Sequence, residues 1–398
     1  MISEHFKNML GQKSVIRSMN AKAFEQGEKI GHENIFNFSL GNPSVPAPAC
    51  VNETMVKLIG ETDPMQLHGY SESHGILEVR AAVAAYLEKT YHLPYKADHV
   101  FMASGAAGAL AHAFRAVVCP GEEIITFAPY FPEYGPYVHE TGAILRVVPA
   151  DTESFQINFE AFEEILNEKT AAILINSPNN PSGIVYSTAT IQKLADILYA
   201  AQKKFGHEIY IISDEPYREI VFTGVDAPCI SSFYDNTLMC YSFSKSISLP
   251  GERIGYVAVN PACKDAELII HMCTQISRGI GHNCPASLIQ LTVAEVLGQT
   301  ADLSVYEKNS DILYRELTRM GFSIVKPGGT FYMFPKAPIE DAGEFCNKAL
   351  EYGLVIVPGD SFACKGYFRI AYCVPTETVE RSIPQFEKLA AFYGLGGK

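Results

Sequence analysis

The sequence predicts an α/β fold. A large domain is built on a mostly parallel seven-stranded sheet flanked by helices, and a smaller α+β domain is assembled from both chain ends. Two observations carry this expectation. Apolar runs rich in β-branched residues alternate with segments whose apolar positions recur at helical spacing, and from about residue 291 short strand-like runs lie between helical patterns instead.

The runs 100–103, 123–127, 144–148, 170–175, 208–212, 238–241 and 254–259 each read as a strand. Strands buried on both faces read as continuous apolar runs, as parallel strands covered by helices do. Between them Ile191, Leu194, Ala195, Ile197 and Leu198 are spaced for one buried helix face. From about residue 291 a long polar-apolar helix pattern leads to strand-like runs at 322–325, 331–334, 354–357 and 367–371, and then to a terminal helix. Residues 46–290 are expected to form the large domain and 291–398 the small one. There is no internal repeat and no low-complexity linker.

Composition narrows the function. The 398 residues carry 31 Lys+Arg against 44 Asp+Glu, a net charge of −13 with no basic block, so nucleic acid and anionic membrane are poor partners. No apolar run approaches the roughly 20 residues of a membrane helix. The polar start Met1-Ile2-Ser3-Glu4-His5 lacks a signal-peptide core, so the cytoplasm is the expected compartment. Ten cysteines without a Cys-x-x-Cys, and eleven histidines without ligand spacing, indicate neither a disulfide framework nor a metal site.

The chemistry concentrates after the middle strands. Lys245 ends Tyr241-Ser242-Phe243-Ser244-Lys245, eight residues before Arg253 in Gly251-Glu252-Arg253-Ile254-Gly255. An amine carries a cofactor covalently only if its charge is tuned and its neighbours hold the cofactor's anionic end. Two serines and an arginine are suited to that. Asp214 follows the run 208–212, at the carboxyl end of a strand, where α/β sheets bind ligands. It also fits an N-cap before Glu215-Pro216. Asn176-Ser177-Pro178-Asn179-Asn180-Pro181-Ser182-Gly183 is a turn by its prolines and glycine, which leaves its three asparagines unexplained.

In order and spacing, Asn-x-Pro-x-Asn-Pro-Ser-Gly, Asp-x-x-Tyr, Ser-x-Ser-Lys and Gly-x-Arg-x-Gly resemble the fold-type I, class I pyridoxal-phosphate aminotransferases of the aspartate aminotransferase family. Leu40-Gly41-Asn42-Pro43, Tyr70, Ser104-Gly105-Ala106-Ala107, Pro358-Gly359 with Phe362, and Arg369 extend the resemblance over nearly the whole chain. The family's architecture adds residues 1–45 to the small domain.

The resemblance implies a role for each motif. Lys245 anchors pyridoxal 5'-phosphate and moves the substrate proton. Ser104, Gly105, Ala106, Ser242, Ser244 and Arg253 hold the phosphate, helped by Tyr70 from the neighbouring subunit of a homodimer with shared active sites. Asp214 pairs with the ring nitrogen, and Asn180 and Tyr217 bond the ring's phenolic oxygen. Phe131 stacks on the ring, a place that Tyr130 or Tyr134 could also take. Arg369 clamps the substrate's α-carboxylate, with Asn180 and Gly41 beside it.

Substrate choice rests on a further cation. One branch of the family keeps a lysine where this chain has Ala107. Another uses an arginine before an Asn-x-Pro, and Arg278 fits that spacing across a dimer interface. The implied activity is transfer of an amino group from an L-amino acid, with aspartate a candidate, to a 2-oxo acid such as 2-oxoglutarate by a ping-pong cycle. Alternatives are an alanine or aromatic amino acid aminotransferase, or a carbon–sulfur β-lyase using the same cofactor. A non-enzyme regulator that only senses the cofactor would carry an N-terminal DNA-binding extension, and here the motifs begin by residue 40.

Overall fold

The computed structural model of the protein describes residues 2, 4–10 and 14–396. Its strands in chain order are β1 Phe36–Asn37, β2 Val100–Ala103, β3 Glu123–Phe127, β4 Ile144–Val148, β5 Thr170–Asn176, β6 Tyr210–Asp214, β7 Thr237–Ser242, β8 Gly255–Val259, β9 Tyr332–Met333, β10 Leu354–Val355, β11 Val357–Pro358 and β12 Phe368–Ala371. The seven runs expected in the large unit are the seven strands of one sheet, ordered β2-β8-β7-β6-β5-β3-β4. β7-β6-β5-β3-β4 pair in parallel, whereas β8 runs antiparallel to both β2 and β7.

That reversed strand positions the site. Parallel β5, β6 and β7 end side by side at Asn176, Asp214 and Ser242, with Asn176 opposite Asp214 and Asp214 opposite Cys240. Because β8 is antiparallel, its first residue Gly255 lies opposite both Ala103, the last of β2, and Ser242, the last of β7. Arg253, just ahead of β8, is thereby brought to the same edge as Ser104 and Ser242. One local reversal gathers residues more than a hundred positions apart.

Helices cover both faces of the sheet. Helix Thr188–Phe205 buries Ile191, Leu194, Ala195 and Leu198, accepts its first free amide through Ser187, and ends at Gly206 in the left-handed region. Each such aliphatic side chain contributes about 1.5–3 kcal/mol on full burial. Helix Gly105–Val117 buries Ala109, Leu110, Ala113 and Phe114 in the opposite core layer. Among the described residues no helix is long and apolar enough to cross a membrane.

A second core unites both chain ends. Antiparallel β11-β12-β9 packs with Phe331, Phe334, Phe345, Phe362 and Phe386, and the same core takes in Phe36 and Phe38. β1 is fixed there by parallel pairing with β10, Phe36 opposite Leu354. Two sequence expectations need correction. Residues 322–325 form no strand: Phe322 is buried in this core, and the segment runs into Lys326-Pro327-Gly328-Gly329, which breaks any ladder. The long helix expected from about residue 291 is two helices, Ser287–Glu295 and Ser304–Arg319. The break holds Gly298 at φ 80° and is tied down where the Ala301 amide donates to the Ser246 carbonyl at 2.8 Å.

Gly255 tests the reversal. A methyl group there would collide with the Tyr241 carbonyl oxygen and lie 3.1 Å from the Gly105 backbone. Gly255→Ala is expected to cost about 1–3 kcal/mol, as overpacking does. A urea midpoint unchanged from wild type would show that the three backbones approach less closely than this.

Candidate active site

A cavity of about 600 Å³ opens at the carboxyl edge of the sheet. The large unit lines it with Ala106, Phe131, Asn176, Asn180, Asp214, Tyr217, Ser242, Ser244, Lys245 and Arg253, and the second core adds Gly41, Tyr332 and Arg369.

Asp214 is the most constrained group. It is buried, its Oδ2 accepts from the Tyr134 hydroxyl at 2.5 Å, and its Oδ1 has no partner among the described residues. Burial disfavours the carboxylate and pushes its pKa up to about 7; the Tyr134 hydrogen bond pulls down and neighbouring Glu215 pushes up. The Asp214 carbonyl accepts from Asn176 Nδ2 at 2.8 Å, while Asn176 Oδ1 accepts from the Asn180 amide at 2.7 Å. The asparagine-rich turn is thus tied to the carboxylate strand by side-chain bonds, which explains Asn176. Tyr217 is buried beneath, its hydroxyl 3.2 Å from that of Tyr332, and burial raises its pKa.

Lys245 sits in the short helix Phe243–Ser246 directly after β7. Its Nζ donates to the Gly41 carbonyl at 2.6 Å. Desolvation lowers its pKa to about 8, with the positive charges of Arg253 and Arg369 acting in the same direction. Such an amine exchanges protons close to neutral pH.

At one end of the cavity lies an anion cup. Ser104 precedes helix Gly105–Val117 without a side-chain cap bond, leaving the first amides to a ligand. Ser242 and Ser244 hydroxyls lie 2.7 Å apart, and Arg253 donates to the Pro250 and Ser104 carbonyls at 3.1 and 3.4 Å. Gly105, at φ 72°, lets the guanidinium close in, since a methyl group would meet Arg253 Nη2 at 2.9 Å. At the other end Arg369 is fully buried and donates to Asn180 Oδ1 at 3.0 Å and the Ser39 carbonyl at 2.6 Å. Its Nε has no partner among the described residues, and desolvation lowers its pKa. A buried guanidinium with a spare donor suits a carboxylate ligand.

Of the residues singled out from sequence, Phe131 is half-buried on the cavity wall, and Ser104 and Gly105 lie just behind Ala106 and Ala107, which do line it. Two lie outside this chain's cavity. Tyr70 is fully exposed, and Arg278 is exposed in the last turn of helix Ala266–Ile280. Sequence reasoning missed Tyr134 as the holder of Asp214; it read it only as an alternative stacking ring. It also missed Tyr332 and Ser39, which look like ordinary strand and loop residues until the two cores meet.

Residues 33–385 match the family described as aminotransferase class I and II. The chain belongs to that family. It is an aminotransferase. An amino transferase from Eubacterium rectale of known structure is 46% identical, with a TM-score of 0.96 over 99% of both chains. Aspartate aminotransferase of Thermotoga maritima is 30% identical over 363 residues, covering 89% of this chain and 91% of that one. Aromatic-amino-acid aminotransferase 2 of Thermococcus litoralis is 29% identical over 380 residues, covering 90% and 92%. Relatives with aspartate and with aromatic names stand at nearly equal distance, so overall likeness does not choose the donor of this aminotransferase.

The Asp214 shift gives a signed pH prediction. In the unfolded chain the carboxyl loses its proton near pH 4 (about 3.9); in the folded aminotransferase it keeps it to about 7. Between these values the folded state binds more protons, so the stability from this group is present below pH 4 and is lost as pH rises through 7. For cofactor-free protein, the stability of wild type relative to Asp214→Asn should fall by a few kcal/mol, in order of magnitude, between pH 5 and pH 8 in urea titrations. A difference that grows with pH would reverse the assignment.

Proposed function

We propose that this aminotransferase holds pyridoxal 5'-phosphate on Lys245 and transfers an amino group from an L-amino acid, with aspartate a candidate, to a 2-oxo acid such as 2-oxoglutarate in two alternating half-reactions. The observation that carries this reading is the unpartnered Oδ1 of buried Asp214, which a protonated ring nitrogen would satisfy. The anion cup fits the phosphate, and the distance-spanning pair of Lys245 and Arg369 fits an amino acid between them.

The cofactor supplies an aldehyde that bonds to amines and a protonated ring that accepts the electron pair released at the neighbouring carbon. The protein supplies the rest. Asp214, fixed by Tyr134, holds the proton on the ring nitrogen, because a carboxylate in a dry site stabilises that cation. Tyr217 and Asn180 line the same cavity and would donate hydrogen bonds to the phenolic oxygen, and Phe131 would pack against the ring. Arg369 binds the substrate α-carboxylate through its spare donor, and Asn180 is held against it. That clamp fixes which Cα bond faces Lys245. Once the substrate amine has taken its place on the cofactor, Lys245 Nζ would be a free amine able to take the Cα proton, and its pKa of about 8 would make it an effective base near neutrality. Gly41, whose carbonyl already holds Nζ, keeps it at that place.

The working unit of this reading is a homodimer. Fully exposed Tyr70 is unused in its own chain's site and completes the phosphate cup of the partner subunit. A Lys245→Ala/Arg253→Ala protomer mixed with a Tyr70→Phe protomer should give more activity than either homodimer, because one site per heterodimer then has Lys245 and Arg253 from one chain and Tyr70 from the other. Confirmed heterodimers without that gain would rule out shared sites.

Borohydride reduction followed by peptide mapping should label Lys245. A label on another lysine overturns the anchor. Lys245→Ala should bind cofactor and lose turnover by at least the 10²–10⁴-fold (roughly) of general acid–base catalysis, measured by single-turnover spectroscopy.

A further inference from the structure

Among the described residues four cations line the active-site cavity: Arg17, Lys245, Arg253 and Arg369. On the reading above, on which this inference rests, three of them serve the cofactor and the substrate α-carboxylate. Arg17 is left over. It lies in the first turn of helix Val15–Ile30, where Ser14 and Ile16 also border the cavity. Its guanidinium is exposed and makes no hydrogen bond or ion pair with another described residue. Its charge is felt across the mouth by Tyr137, whose hydroxyl is pushed up to about 12 by burial first and by Glu133 and Asp214 next, while Arg253 and Arg17 oppose the rise.

Neither of the other two candidate routes supplies a cation to this cavity from its own chain. Position 107 is alanine, and Arg278 lies outside the lining. We infer that Arg17 reads the distal carboxylate of a dicarboxylic donor, so that this aminotransferase takes aspartate or glutamate and their 2-oxo acids. An exposed ion pair contributes little in water. A substrate seated between the helix and the apolar wall formed by Leu110 and Phe131 displaces that water, and a free guanidinium fork then binds a carboxylate with two parallel bonds. Glu133, on the same rim, supplies the opposing possibility, since it would favour a donor with a distal ammonium.

The test uses cofactor-loaded wild type, Arg17→Ala, Arg17→Lys and Arg278→Ala. The rate of cofactor-band conversion is measured with aspartate, glutamate, alanine, phenylalanine and lysine, and maleate is titrated against a monocarboxylate by the shift of the same band. Arg17→Ala should lose roughly tenfold or more in kcat/KM for aspartate and glutamate, and a similar factor in maleate affinity, as expected for a hydrogen bond to a charged group. Alanine and phenylalanine should change by less, and Arg17→Lys should restore part of the dicarboxylate preference. Equal losses for all donors, a weakened cofactor affinity that accounts for the loss, the dicarboxylate loss appearing in Arg278→Ala instead, or a wild type preferring lysine would each overturn the inference. If no donor converts the wild-type band, the aminotransfer reading itself fails first, and the maleate titration still reports separately on Arg17.

Discussion

The buried carboxylate of Asp214 constrains everything around it. Moving its pKa from 3.8 to about 7 corresponds to a preference for the neutral form on the order of 4 kcal/mol, at about 1.4 kcal/mol per unit. A fold keeps such a group only where something repays its ionisation. Tyr134 repays part, from a helix that follows β3, and Asn176 fixes the backbone beside it from β5. The remaining oxygen of this cavity-lining residue has no partner among the described residues. The strands ending at this point are therefore arranged about a carboxyl group that no cation among the described residues pairs with.

A second dependence runs between the two cores. Arg369 on β12 donates to Asn180 of the large unit and to Ser39 of the amino-terminal segment, and Lys245 donates to Gly41 two residues further on. Three distant segments thus meet through charge-assisted bonds inside the cavity wall. The aromatic faces of Tyr332 and Phe362, 4.7 and 5.0 Å from the guanidinium, replace part of the hydration that Arg369 gives up. The guanidinium thus ties the two cores together, and on the proposed reading the substrate carboxylate draws on the same group.

On the proposed reading, reaction chemistry and donor choice separate along these lines. Asp214 ends β6 and Lys245 stands in the short helix directly after β7, both anchored by the sheet's backbone ladder. Arg17, by contrast, projects from a helix tied to the second core, through Met19 and Ala23.

Much of this was legible in the sequence. The seven large-unit strands are apolar runs long enough to be buried on both faces, and Lys245, Asp214 and Arg253 occupy motifs whose spacing follows from where those strands end. What local pattern could not contain was pairing order. The antiparallel course of β8, which delivers Arg253 to Ser104, is invisible in a run that reads the same in either direction. The strand expected at 322–325 failed because burial alone, without a partner edge, satisfies an apolar segment such as that around Phe322. Tyr134 and Arg17 were missed for a related reason: an aromatic at the start of a short helix and a basic residue in a helix have no distinctive local signature. Sequence determined which residue types are available and in what order, since these are covalent. Tertiary structure decided which of them meet, since a hydrogen bond or a cavity wall exists only between segments that long-range packing brings within a few ångströms.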